Sequence, residues 1–245
     1  MKQSGLGDQL FVAGYDVGAD INSIGSLSSP RNTLPATGIT QSANARLYGT
    51  ADAQGEFTSY FNDADDQVFE ALKSLPRTDV HVMYLRGEAV GGSAFCVQSK
   101  QVNYDPNRTD DGSLLFGTSV LGAAYAGDWG DQLTAGKDTH ATATNGTSID
   151  TGAAASFGFQ AYIQAFSIGS GTAEVTIQDS ADNAAWTDLT DGAFTDVTAR
   201  TAQRIASSSA TATVRRYIRV ITTGTFTDLA FAVVINKNLA TRTVS

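Results

Sequence analysis

Side chains that do chemistry are scarce in this chain of 245 residues: it has two histidines, His81 and His140, and one cysteine, Cys96. No cysteine or acidic partner stands at a recognisable ligand spacing from either histidine, so a zinc site has no support. Neither histidine sits beside a G-x-S-x-G elbow, and Cys96 lacks a papain-like context. Without a nucleophile and base, a metal cluster or a phosphate-cradling loop, the expectation is no enzyme, no cofactor and no metal. A lone cysteine also excludes an internal disulfide and reads as a small buried hydrophobe. Long apolar runs are missing as well. No stretch approaches the ~18 residues of a membrane-spanning helix, and the opening residues lack a signal-peptide core, so folding in a cytoplasm without membrane insertion is expected.

Charge is sparse, at 17% of residues against the usual ~25%. What there is leans acidic, with a net charge of −9, which argues against gripping nucleic acid through its phosphates. The acidity belongs mainly to the first half: residues 1–130 hold 8 basic and 15 acidic side chains, and the remainder 8 and 10. A surface of small polar residues suits broad contact with other protein.

What is present is strand pattern. A short strand at 11–15 precedes a Gly, Ser, Asn and Pro-rich stretch over 18–40, and irregular segments of that length tend to be functional or ordered by a partner. Ile21, Ile24, Leu27, Leu34 and Ile39 are spaced through it, as a contact arm needs. Segments 41–48 and 56–61 read as a hairpin across a Gly-rich turn. A helix is expected from Asn62-Asp63, with Asp65 and Asp66 near its positive end and Val68, Phe69, Leu72 and Leu75 on one face up to Pro76. Strands follow at 79–85, 94–104 and 113–125, giving an α+β first half.

The second half is more uniformly β. Residues 141–155 are rich in Ala, Thr and Gly; then Phe157, Phe159, Ala161, Ile163 and Ala165 alternate, as do Ala173, Val175 and Ile177, with further strands at 214–222 and 229–235. Regular short strands indicate a sandwich or jelly roll. Two oxygen-rich groups, Asp16, Asp20 and Asn22, and Asp179, Asp182 and Asn183, depart from the calcium-loop pattern and read as turns. Arg215, Arg216 and Arg219 form a basic cluster whose side chains divide between two strand faces and are expected to pair with carboxylates of a neighbouring chain or domain.

The ordered motifs Ser23-Ile24-Gly25-Ser26-Leu27, Ala45-Arg46-Leu47-Tyr48-Gly49, Ser59-Tyr60-Phe61-Asn62, Tyr84-Leu85-Arg86-Gly87, Asp110-Asp111-Gly112-Ser113-Leu114 and Arg216-Tyr217-Ile218-Arg219-Val220 resemble the major tail, or tail tube, protein of long-tailed bacteriophages. The resemblance implies a mainly β fold: a tube-forming β-sandwich or barrel with one flanking helix over 1–138, a linker-like segment over 139–152, and an outer β-sandwich or jelly roll over 153–245. It implies a structural virion protein of the tail, made in the host bacterial cytoplasm. Such a protein assembles with itself into stacked hexameric rings and meets tape measure, tail terminator and baseplate proteins. DNA passes through the lumen without specific binding. The 18–40 loop, with Ile21, Ile24, Leu27, Leu34 and Ile39, is the candidate inter-ring contact. The alternative is a carbohydrate- or receptor-binding β-sandwich, for which Trp129, Trp186 and Tyr217 are the candidate aromatic surfaces.

Overall fold

The computed structural model describes residues 4–239. The chain opens with a tight hairpin of β1 (Gln9–Val12) and β2 (Tyr15–Asp16). Its two connecting residues, Ala13 and Gly14, both have positive φ, 51° and 83°, the backbone that right-handed strand twist demands of a two-residue turn. The single strand expected at 11–15 is therefore two.

The stretch expected to be a loop over 18–40 is instead ordered as strands. A 3-10 turn, Gly18–Asp20, leads into β3 (Ile21–Ser28) and β4 (Arg31–Pro35), followed by β5 (Arg46–Ala51) and β6 (Gln54–Tyr60). β3 pairs with β6, and β4 with β5 as a separate two-stranded sheet, so the hairpin expected between 41–48 and 56–61 does not form. Bulges explain why β3 was illegible. Ile21, Ile24 and Leu27 lie opposite Ser59, Phe57 and Gly55, with register shifts after Ile21 and after Ile24. Each bulge inserts one extra residue, which turns a three-residue apolar spacing into a single strand face. Gly55 lets the strands pack closely: a Cβ there would stand 2.9 Å from both Leu27 Cδ2 and Val120 Cγ2, so those side chains would have to shift.

The helix is one short turn and a half, α1 (Val68–Leu72), later to start and earlier to end than its apolar spacing predicts. Its first amide is met from far along the chain: Asp20 Oδ2 accepts from Val68 N at 3.3 Å and Oδ1 from Asn62 Nδ2 at 2.9 Å. Asp65 and Asp66, expected near the helix start, lie outside it, and Asp66 adopts φ 65°.

β7 (Val80–Leu85), β8 (Ser93–Arg108), β9 (Leu114–Gly122) and β10 (Asp128–Gln132) continue the first sheet. Residues 139–152, expected as a linker, contribute to three short paired strands: β11 (Asp138–His140), β12 (Thr144–Asn145) and β13 (Ile149–Asp150). β11 pairs with β19 (Leu229–Lys237), and β12 and β13 with β18 (Tyr217–Thr227). β14 (Phe159–Ser167), β15 (Ser170–Ser180), β16 (Thr187–Ala193) and β17 (Thr201–Ala206) complete the chain.

Among the described residues one path of eight antiparallel strands crosses both halves in the order β17-β14-β19-β10-β8-β7-β1-β2, with β10 as the seam between β8 and β19. Gly130 in that seam is obligatory, since a Cβ there would come within 2.3 Å of the Ile235 carbonyl oxygen. The two faces of the path have different fates. On one, Leu10, Val12, Val80, Val82, Phe95 and Val97 pack with α1 and β6 residues into a first core. Farther along that face Phe231, Val233 and Ile235 pack with the β12-β18-β15-β16 sheet into a second core. On the opposite face Phe11, Met83, Leu85, Ala94, Cys96, Tyr162, Phe166, Ala230, Ala232 and Val234 meet one another. They can do so because the path curls until its ends touch: Phe11 packs edge-on against Phe166 at 4.7 Å, and Gln164 bridges Gly14 N and the His81 carbonyl at 2.6 and 2.9 Å. This third core is shared by both halves of the chain.

Arg200 closes the curl. Its guanidinium lies 4.1 Å from the Tyr15 ring centroid, donates to the Phe166 carbonyl at 3.1 Å and pairs with Asp66 at 2.5 Å. One side chain thus ties the β16–β17 connection to the β1–β2 hairpin and to the approach to α1.

Candidate functional site

The five residues expected to form the inter-ring contact divide between two surroundings. Ile21 and Leu27 pack against the first core, and Ile24, on the same bulged face, is 37% exposed. Leu34 and Ile39 stand clear, at 54% and 106%. They belong to an arm, residues 29–52, in which β4 and β5 pair only with each other. Leu47 and Tyr48 on β5 are exposed too, at 60% and 81%. Sequence reasoning missed these two because it placed 41–48 in a hairpin with the core strand β6.

The arm also differs in charge. Residues 29–52 contain Arg31 and Arg46 against a single carboxylate, Asp52 at the end of the arm, in a chain of net charge −9. Neither arginine has a hydrogen-bond or ion-pair partner among the described residues. The two-stranded ribbon thus presents apolar and cationic side chains that no other strand among the described residues covers by pairing.

At the base of the arm lies a groove of about 1020 Å³, bounded by Arg31 and Tyr48 of the arm, Tyr125 of the β9–β10 connection, and Gln160 and Arg204 of the second half. Arg204 is locked in place: it stacks 3.7 Å from the Tyr125 ring centroid and donates from Nε and Nη2 to Gln160 Oε1 at 3.2 and 3.0 Å, while Gln160 donates to Asp128. The groove holds neither histidine and not the cysteine. Cys96 is enclosed in the third core, and burial pushes its thiol well up. His81 and His140 are held below the usual imidazole range by burial, His81 against Tyr162 and His140 against Phe231 with Nδ1 2.8 Å from Thr222 Oγ1. No group of three His, Cys, Asp or Glu side chains among the described residues could hold a metal ion. No helix among them is long and apolar enough to cross a membrane.

The oxygen-rich groups behave as local structure. Asp182 accepts from Ala184 N and Ala185 N at 2.9 Å each, which pulls its carboxyl below the usual range, and Asp20 serves the helix. The arginine cluster is satisfied within its own chain: Arg216 forks onto Asp150 at 2.7 and 2.6 Å, holding that carboxyl down to about 2. Arg215 donates to Thr187 at 3.0 Å and lies 3.7 Å from Asp179. Arg219 forks onto Gln178 and stacks on Trp186 at 4.3 Å. Of the candidate aromatics, Trp186 and Tyr217 are faced by these arginines, whereas Trp129 in the seam is 54% exposed.

No protein-family model and no curated protein matches the chain. Solved structures with a likeness in fold include a chain from the virion of a native gene transfer agent particle, 14% identical, covering 51% of this chain and 97% of that one at a TM-score of 0.42. Another is SPP1 Dit, a hub protein of the adsorption apparatus in phages infecting Gram-positive bacteria, 9% identical over 95% of this chain and 99% of that one at 0.35. A third is a chain of the phage p2 baseplate, 11% identical over 94% and 98% at 0.33.

Proposed function

We propose that this chain is a structural protein of a phage tail that builds the tail tube by self-association into stacked, six-membered rings. The observation that carries the reading is the arm: Leu34, Ile39, Leu47 and Tyr48 are exposed on a ribbon that pairs with no other strand among the described residues. Burying each side chain of this size against a neighbour contributes about 1.5–3 kcal/mol, a gain of the same order as the cost of association that it must offset. The acidic body supports the same reading twice. It offers the arm's Arg31 and Arg46 a complementary surface on a second copy, and it lines a lumen of rings with charge that lets DNA pass without sticking. Tape measure, terminator and baseplate proteins would meet the open ends of such a tube in the virion.

The test is negative-stain microscopy with light scattering on the purified protein over a range of concentration and salt. Rings or hollow tubes are expected, and particles from infected cells remove the requirement for an initiator. A species that stays strictly monomeric throughout, and is missing from purified tails, contradicts the proposal.

A further inference from the structure

The β3-β6-β9 ladder has two ends of opposite character, and its register fixes them. At one end Ser28 lies opposite Gln54 and Gln54 opposite Leu121; at the other Ile21 lies opposite Ser59 and Tyr60 opposite Leu115. The arm leaves from the first end, where Asp52 N donates to the Pro30 carbonyl at 2.9 Å and Arg31 then lies opposite Ala51. β6 has seven residues, so the other end stands about 20 Å away.

That far end is acidic. Residues 60–66 and 105–114 meet there through the hydrogen bond from Phe61 N to the Leu114 carbonyl at 3.1 Å. Together they carry six aspartates against one arginine, Arg108. Asp66 is taken by Arg200, and Asp105 and Asp111 accept from neutral groups. Asp63, Asp65 and Asp110 are exposed, with no hydrogen-bond or ion-pair partner for their side chains among the described residues. By contrast Asp8, Asp79, Asp150 and Asp179 are each paired with an arginine or lysine of the chain. Apolar surface accompanies the free carboxylates. Tyr60, Phe61 and Leu114 are exposed, and Phe61 is held by ring contacts with Phe69 and Phe116, centroids 5.1 and 5.5 Å away. The far end thus offers apolar side chains with unpaired anions, and the arm offers apolar side chains with unpaired cations.

We propose that the acidic end is the surface on which the arm of a second copy docks, so that subunits join head to tail along the ladder. The inference rests on the self-association proposed above and adds the receiving surface. Opposite charge selects the partner and its orientation, and the apolar side chains supply the area removed from water. Each added copy brings one free arm or one free acidic end, so the contact propagates instead of closing, as stacking of rings requires.

The test reverses charge on each surface. One variant carries Asp63→Lys, Asp65→Lys and Asp110→Lys, a second Arg31→Glu and Arg46→Glu, and a third all five changes. Each is compared with the parent by sedimentation velocity at low salt. The first two should each need at least about tenfold more protein for half-assembly, and the five changes together should recover most of that loss. All are exposed positions outside any core, so the melting temperature of dilute subunits should stay at the parent's value. Asp63→Asn, Asp65→Asn and Asp110→Asn combined, which keep the side-chain shapes, should give a smaller loss in the same direction. A control of Glu174→Lys, Asp188→Lys and Asp196→Lys changes net charge equally on exposed carboxylates of the second half, and should assemble like the parent. A parent that assembles, with the reversed acidic end assembling equally well, overturns the docking surface and leaves the tube reading standing. An equal loss in the control, or no recovery when all five changes are combined, overturns it too. A parent that never assembles removes both proposals, and one that stops at a closed dimer overturns the head-to-tail order.

Discussion

The arm and the shared core put similar side chains to opposite uses. In the curl, Phe11, Met83, Leu85, Tyr162 and Val234 are sealed between strands of both halves, none more than 1% exposed. In the arm, Leu34 on β4, Leu47 and Tyr48 on β5, and Ile39 in the turn between them stand exposed, and β4 and β5 pair with no other strand among the described residues. The difference is topological. The curl joins strands far apart in sequence into a closed surface, whereas β4 and β5 have only each other, and an isolated hairpin is marginal in water unless something packs on it. The buried contacts that stabilise the subunit therefore lie in the curl, and under the proposed function association falls to the arm.

The sharpest way to break that division is Phe11→Ala. Removing a fully buried ring that packs on Phe166 should cost about 3–5 kcal/mol. Because the core is shared, calorimetry should show both halves melting together in one transition at lower temperature. Two separated transitions, with only one displaced, would mean that the halves are independent. By the same reasoning, a chain cut back to residues 1–138 loses Tyr162, Phe166, Ala230, Ala232 and Val234 from this core, and should not fold stably by itself.

A smaller effect is expected from Arg200→Ala, which opens the clasp between the ends of the curl without emptying a core. Roughly 1 kcal/mol is expected for the lost hydrogen bonds, read as faster amide exchange in β17 and in the β1–β2 hairpin ahead of the rest. Uniform exchange across the chain would show that the clasp plays no local role.

Acid should act on the curl as well. His81 and His140 are buried and titrate below the usual histidine value of about 6.5, so the unfolded chain binds protons that the folded one does not. Their contribution is complete above that value and is lost as pH falls from it through the lowered folded pKa. His81 faces Arg204 as a like charge and Asp79 as an opposite one, with burial the largest influence. The melting temperature should drop between pH 6.5 and 5, and less so in His81→Gln. An equal drop in the variant would clear His81 of any part in it.

The least effect on the subunit is expected from Leu34→Ser, Ile39→Ser and Leu47→Ser combined. Exposed positions outside any core change stability by no more than about 0.5 kcal/mol each, so the melting curve of dilute subunits should be nearly unmoved. A large fall would return the arm to the chain's own core.

Much of the body was legible and the arm was not. β7, β15 and β19 announce themselves by period-two alternation or, in Leu229–Ile235, by an unbroken apolar run that marks a strand buried on both faces. β3 concealed itself because two bulges convert its spacing from two to three. The helix looked longer than it is because Leu75, in its apparent apolar row, takes φ 43° and stands 44% exposed, while the carboxylate that caps α1 comes from Asp20, 48 positions earlier. β11 to β13 hid in Ala, Thr and Gly because two- and three-residue strands carry too few side chains for a period to show. The seam was invisible for a different reason: Gly130 and Asp131 are poor strand formers, and only the register of β8 and β19 makes β10 a strand.

The most direct test compares the parent with the triple arm variant, Leu34→Ser, Ile39→Ser and Leu47→Ser, by sedimentation velocity at matched concentration and low salt. The parent should sediment as rings or longer assemblies and shift toward smaller species as salt screens Arg31 and Arg46, while the variant stays at the mass of a single subunit or an unstacked ring with its melting temperature intact. Assembly of the variant to the same size distribution as the parent would contradict the assignment of association to the arm.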